Sequence, residues 1–360
     1  MREIVELTKA LIRFKTRASE PEELQRCAQF IASTLDDCGA VYHRQDANGI
    51  PSIWALPQAG RTKILLMSHF DVVDGPDEMF EPVETDGKLF GRGAVDDKYA
   101  VALSLVLFRN HLTALKKRGI GQSAMPVGIL MTGDEETGGC NGAAKAIARI
   151  RADFCIALDG GDTGRIITRE KGILRIKVTA SGKSAHGSRP WLGNNAIEIL
   201  MDDLARLKPL FDRETLGYEP EGHWHRTLNI GLIAGGSAVN QVPDEAAAHL
   251  DIRYTEHDDV PNLIDEMERR IQSPLTVLTR EPIFSTGRTP YLDLLQQSAP
   301  HARLGREDGA SDARFLAAHG IPGVVWGADG DHTQHAADEH VDIDSIGRLY
   351  AALDRFIAAC

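Results

Sequence analysis

Ile64-Leu65-Leu66-Met67-Ser68-His69-Phe70-Asp71 reads as an apolar strand that runs directly into a histidine and a carboxylate. Three other segments repeat the design. Residues 127–131 lead into Gly133-Asp134-Glu135-Glu136, residues 154–158 lead into Asp159, and Val324-Val325-Trp326 leads into a glycine-containing loop that ends at His335. Short apolar runs of this kind, alternating with stretches of helical period, predict an α/β sheet wrapped by helices. Open sheets of that class bind ligands beyond the carboxyl ends of their strands, so the four segments are expected to converge on one crevice.

Between residues 172 and 279 the pattern changes. A strand candidate at 172–180 precedes a helix candidate at 194–211, with Ile197, Leu200, Met201 and Leu204 on one face. Strand candidates follow at 227–234 and 246–254, then a helix carrying Val260, Leu263, Ile264, Met267 and Ile271, then a strand at 275–279. The order β-α-β-β-α-β is that of a compact ferredoxin-like α+β unit able to fold alone. We therefore expect a discontinuous main domain, residues 1–171 and 280–360, interrupted by an inserted domain at 172–279. Residues 217–225 read as a surface loop within the insertion.

Bulk properties agree with two domains and narrow the partners. A chain of 360 residues exceeds the usual reach of one hydrophobic core. The net charge of −12 argues against nucleic acid or an anionic membrane as a main partner. Five cysteines are scattered without paired spacing, so they read as reduced thiols and not as a secreted disulfide framework. Residues 1–15 mix charges with apolar residues in a helical period, unlike the uncharged core of a signal peptide. No apolar run approaches membrane-spanning length. A cytoplasmic protein is expected.

The chemistry-bearing residues cluster at strand ends. In an extended segment His69 and Asp71 share a face, which suits one to bind a metal and the other to support it. In Gly91-Arg92-Gly93-Ala94-Val95-Asp96-Asp97-Lys98 the glycines permit a tight turn before an apolar helix. Asp97 fits the role of helix cap. Asp96 is the sharper candidate for metal, because one carboxylate can bridge two cations and offset their repulsion. Asp134, Glu135 and Glu136 place three acids together, which is costly to bury without counter-charge. Of the two glutamates, one is suited to coordinate metal and the other to handle a proton. Asp159 repeats the strand-then-acid arrangement, and His332 and His335 close the last loop. Each feature alone has a plain reading as a turn, cap or solvated acidic loop. Together they supply two histidines and at least three carboxylates, the mixed N/O set suited to zinc, cobalt or manganese.

The ordered set Ser-His-Phe-Asp-Val-Val, Gly-Arg-Gly-Ala-Val-Asp-Asp-Lys, Gly-Asp-Glu-Glu-Thr-Gly-Gly and His335-x-x-Asp338-Glu339-x-Val341 resembles the dinuclear zinc family of aminoacylases, acetylornithine deacetylase, succinyl-diaminopimelate desuccinylase, glutamate carboxypeptidase and peptidase T. Gly182-Lys183-Ser184-Ala185-His186-Gly187-Ser188 and Asn240-Gln241-Val242-Pro243-Asp244-Glu245 extend the match into the insertion. The resemblance implies a zinc-peptidase-like mixed sheet flanked by helices, carrying an inserted lid and dimerisation domain. It implies that His69 and Asp159 bind one metal, that Glu136 and His335 bind the other, and that Asp96 bridges them. Asp71 would orient His69, and Glu135 would be the general base. His186 would reach the partner subunit's active site and stabilise the oxyanion, which implies a homodimer. Asn240 and Arg253 would contact substrate.

In such enzymes Asp at the position of Asp159 looks like the aminopeptidase and dipeptidase branch, whereas Glu goes with deacylases and carboxypeptidases. The expectation is a hydrolase using two divalent ions, zinc in the first place with cobalt or manganese as alternatives, to cleave an amide or peptide bond of a small amino-acid-derived substrate. An N-acyl amino acid deacylase or carboxypeptidase is the alternative.

Overall fold

The computed structural model describes residues 1–212 and 223–360. Most of the loop expected at 217–225 lies outside those residues. The chain forms two compact units. The first comprises Met1–Arg169, Phe284–Glu307 and Ser311–Cys360, and the second comprises Glu170–Ile283 with Asp308–Ala310.

A nine-stranded mixed sheet organises the first unit. At its centre, Val127–Thr132, Arg61–His69, Arg151–Ala157 and Gly323–Val325 lie side by side and parallel. These are the four apolar runs seen in the sequence, so their carboxyl ends open on one edge. Burial on both faces explains why they read as continuous apolar runs and not as alternating ones. In Arg61–His69, Ile64 and Leu66 join one core while Leu65 and Met67 join another on the opposite face. Helices Arg2–Ile12, Pro21–Asp37, Lys98–Lys116 and Ile343–Ala359 cover the first face. The short helix Ala143–Ile147 and the 3₁₀ turn Asp312–Phe315 contribute Ala143, Ala146, Ile147 and Ala313 to the second. The predicted α/β class with flanking helices is the one the chain adopts.

A three-stranded sheet, ordered His340–Asp342, Lys88–Phe90, Val83–Thr85, matters for the site. Pairing of His340 with Phe90 sets Glu339 beside the turn that carries Asp96.

In the second unit, strands Gly172–Ser181, Thr227–Gly235, Glu245–Tyr254 and Leu275–Glu281 form an antiparallel sheet in which the second and fourth in sequence lie at the edges. Helices Ala196–Leu207 and Val260–Arg270 pack on one face. Along Glu245–Tyr254 the buried residues are Ala246, Ala248, Leu250, Ile252 and Tyr254, a strict period of two. Asn195 caps the first helix by accepting the N–H of Ile197, and Asp259 caps the second by accepting that of Asn262. One expected core position is corrected. Met201 is 59% exposed, because the buried stripe runs through Ala196, Leu200, Leu204 and Leu207.

Candidate metal centre

Four strand ends and one glycine-rich turn bring five side chains together. His69, Asp96 and Asp159 form one group, and Asp96, Glu136 and His335 form a second, with the donor atoms of each group lying within 4.8 Å of one another. Asp96 belongs to both. Its Oδ1 lies 2.9 Å from His69 Nε2 and its Oδ2 lies 3.2 Å from His335 Nε2. Asp159 Oδ1 is 3.8 Å from His69 Nε2, and Glu136 Oε2 is 3.2 Å from His335 Nε2. One carboxylate thus turns an oxygen to each group, the geometry of a bridge between two cations. Imidazole nitrogen and carboxylate oxygen are donors that zinc, cobalt and manganese accept, so the residues fit a pair of divalent ions.

The electrostatics point the same way. Burial pulls the His69 pKa down, but hydrogen bonds to Asp159, Asp71 and Asp96 outweigh it and hold the ring well above its ordinary value. Hydrogen bonds to Asp96 and Glu136 push His335 up to about 10. Burial opposes ionisation of Asp96, yet contact with His335 and His69 holds its pKa low. Such a concentration of carboxylates calls for positive charge at its centre, and bound cations provide it.

The surroundings fix these groups. His69 Nδ1 lies 3.1 Å from the Asp71 carbonyl oxygen and 3.3 Å from its Oδ1, which leaves Nε2 to face the centre. The same Asp71 carboxylate accepts the N–H groups of Glu135 at 3.1 Å and Glu136 at 3.0 Å, so it joins two strand ends. Asp97 departs from expectation. Its side chain makes no capping hydrogen bond; it is buried, and its Oδ2 accepts the His69 N–H at 3.3 Å, which takes the carboxylate away from the helix amides. Its carbonyl oxygen accepts the N–H groups of Ala100 and Val101 instead. The Asp96–Asp97 peptide is cis.

Glu135 lies in neither donor group. It lines a small cavity with Met67, Ser68, His69, Ala157, Asp159 and Asp312. Burial, followed by the charges of Asp159 and Asp312, holds its carboxyl well above the ordinary range.

Sequence reasoning gave no role of their own to several residues that shape the centre. Glu339 Oε1 accepts the N–H groups of Gly93 at 2.9 Å and of Val95 and Asp96 at 3.3 Å, while its Oε2 pairs with Arg92 Nη1 at 2.5 Å. Burial and the charge of Asp96 push Glu339 up to about 7. Asp134 accepts the N–H groups of Asn141 and Gly142 and closes the loop that carries the two glutamates. Asp312 and Arg314 were overlooked entirely. Their one signal is an acid and a base two positions apart after Gly309-Ala310-Ser311, which no periodicity separates from an exposed turn.

The remaining candidates belong to the second unit. His186 sits in the two-residue strand Ala185–His186, and its Nδ1 accepts the N–H of Ser188 at 3.1 Å. A neutral ring therefore carries its proton on Nε2. Asn240 is its neighbour, since the Asn240 carbonyl accepts the Gly187 N–H at 2.7 Å. Arg253 lies towards the far end of strand Glu245–Tyr254, with its Nε 2.7 Å from Asp251 Oδ1.

Comparisons with known proteins place the chain in a family. The profile of Peptidase family M20/M25/M40 matches residues 65–359, and the chain belongs to that family. A probable carboxypeptidase of Paracoccidioides lutzii is 33% identical over 61% of this chain, and the chain spans about half of that relative's length (51%). A succinyl-diaminopimelate desuccinylase of Xanthomonas oryzae pv. oryzae is 28% identical over 98% of both chains. Among solved structures, a tripeptidase from Staphylococcus aureus superposes with a TM-score of 0.80 at 21% identity, covering 99% of this chain and 98% of the other. The aminopeptidase PepT of Bacillus cereus gives 0.77 at 20% identity, covering 99% and 97%. These two likenesses show the fold.

Proposed function

We propose that the protein is a two-metal hydrolase that cleaves the peptide bond of a small peptide, of aminopeptidase or dipeptidase type. One observation carries the reading: Asp96 serves both donor groups while Glu135, beside them, serves neither. A ligand cage alone has no use for a spare, largely enclosed carboxylate. His69 and Asp159 would hold one ion, Glu136 and His335 the other, and Asp96 both. Divalent ions so held, zinc in the first place with cobalt or manganese as alternatives, lower the pKa of a water and polarise a carbonyl. Glu135 takes the proton of the attacking water and passes it to the leaving amine. Asp71 keeps His69 in its metal-facing tautomer and anchors the backbone of Glu135.

His186, with its proton on Nε2, is a donor for the tetrahedral oxyanion. His186 and Asn240 stand together, whereas Arg253 is roughly 25 Å away along a ten-residue strand. A dipeptide-sized substrate cannot touch both places at once. If all three contact substrate, they come from different copies, which supports a homodimer assembled through the second unit. The edge strand Thr227–Gly235 offers the surface, since Ile230, Leu232 and Ile233 are 47%, 67% and 58% exposed on it. Leu232→Lys is expected to convert a dimer to a monomer in light scattering while leaving the circular dichroism spectrum unchanged. A wild-type monomer at micromolar concentration would remove this part of the reading.

Among the described residues no helix is long and apolar enough to cross a membrane. All five cysteines are free thiols, in keeping with our proposal of a cytoplasmic location.

Metal analysis with a substrate panel tests the whole. The purified protein is expected to hold two divalent ions per chain, to lose activity on chelation and to regain it with zinc, cobalt or manganese. Dipeptides with free amino termini should be cleaved in preference to N-acetyl and N-succinyl amino acids. Full turnover in metal-free protein would overturn the mechanism. The full-length likeness to a desuccinylase favours a second reading, an N-acyl amino acid deacylase, and preference for the acylated substrates would establish it.

A further inference from the structure

One buried cation beside Glu135 plays no part in the mechanism above. The Arg314 side chain is only 4% exposed, in the 3₁₀ turn Asp312–Phe315, and its guanidinium stacks over the Phe315 ring at 4.5 Å. Its Nη1 lies 3.7 Å from Glu135 Oε1 and its Nη2 lies 3.6 Å from Asp312 Oδ1, and Nε has no hydrogen-bond partner. Asp312 is buried in turn. Its Oδ2 is 3.4 Å from the Thr132 hydroxyl, at the end of a central strand, and its Oδ1 has no hydrogen-bond partner. The glycine turn after Glu136 closes directly on it: a Cβ added at Gly139 would stand 2.1 Å from Asp312 Oδ1, at a φ of +63°. A side chain there would push the pair aside. A guanidinium with a planar fork, buried between two carboxylates and gripped by a ring, has few ways to move.

We infer that Arg314, held by Asp312 and Phe315, is a positioning residue that fixes the carboxylate of Glu135 for proton transfer. The inference rests on Glu135 being the general base. Asp71 fixes the Glu135 backbone through its N–H, and Arg314 fixes the other end of the same residue. The arrangement is a two-point clamp on one side chain. A group that must both accept and deliver a proton gains from being held within reach of two positions, and loss of that hold lowers turnover more than binding. Arg314 touches neither donor group, so the ions would be held without it.

The experiment is a double-mutant cycle on the metal-loaded full chain. Arg314→Met is expected to lower kcat by at least tenfold with KM little changed, with two ions still bound by elemental analysis and a melting transition that stays cooperative but falls in temperature, because buried Asp312 loses its partner. Arg314→Lys, which keeps the charge and loses the fork, should recover part of kcat. In a Glu135→Gln background, Arg314→Met should cost nothing further. Wild-type kcat in folded Arg314→Met, or a loss that adds in full to that of Glu135→Gln, would overturn the inference. If Arg314→Met fails to fold, Arg314→Lys decides: a lowered kcat with normal KM and metal content supports the clamp, and an unchanged kcat refutes it. Undiminished turnover in Glu135→Gln alone would refute the base assignment instead, so the two failures are distinguishable.

Discussion

Glu135→Gln is expected to lower kcat by about 10²–10⁴-fold while metal content, fold and KM stay near those of the unaltered enzyme. The substitution keeps the shape of the side chain and removes only its capacity to take a proton. Glu135 contributes no atom to either donor group, so removing its charge leaves both groups whole. Its backbone remains tied to Asp71 through the N–H, which the change does not touch. Burial and the charges of Asp159 and Asp312 disfavour the ionised carboxyl, so the neutral amide is not expected to destabilise the fold. Steady-state kinetics with elemental analysis of the same sample make the measurement. A variant that turns over at the normal rate would leave the proposed base without a role.

Asp96→Ala has the other large effect, and it falls on the metals. Asp159→Ala or His335→Ala removes one donor from one group, whereas Asp96→Ala removes one from each. It would also take away the negative charge shared by the two groups. We expect apparent affinity for both ions to fall by more than about 100-fold, beyond the 10–100-fold typical of an outer partner. Turnover should be undetectable at micromolar zinc. Competition with a chelating indicator reads both affinities, and two tight sites in Asp96→Ala would end the case for a bridge.

How far this was legible from residues alone depended on the range of the interaction. His69, Glu136 and Asp159 could be singled out because each follows an apolar run, and four parallel strands necessarily deliver their ends to one edge. The spacing of Leu200 and Leu204 likewise forecast which helix face is buried. Side chains whose importance comes from a distant partner carry no local sign of what they hold. Arg92 and Glu339 stand 247 positions apart in the chain, and Thr132 and Asp312 stand 180 apart. Each pair exists only once the sheet has formed. Asp97 misled for the opposite reason: a local rule, the acid before a helix, was satisfied on paper and lost to a tertiary demand from the His69 backbone. Met201 failed because a helical stripe has a width, and position alone did not say which edge of it met the sheet.

Four of the five gathered side chains precede the second unit in the polypeptide and His335 follows it. On the ribosome, His69, Asp96, Glu136 and Asp159 therefore emerge well before the last imidazole, by roughly 10–35 s at ordinary elongation rates. The two donor groups are completed in a fixed order, one from residues made before the second unit and the other only once His335 has followed it.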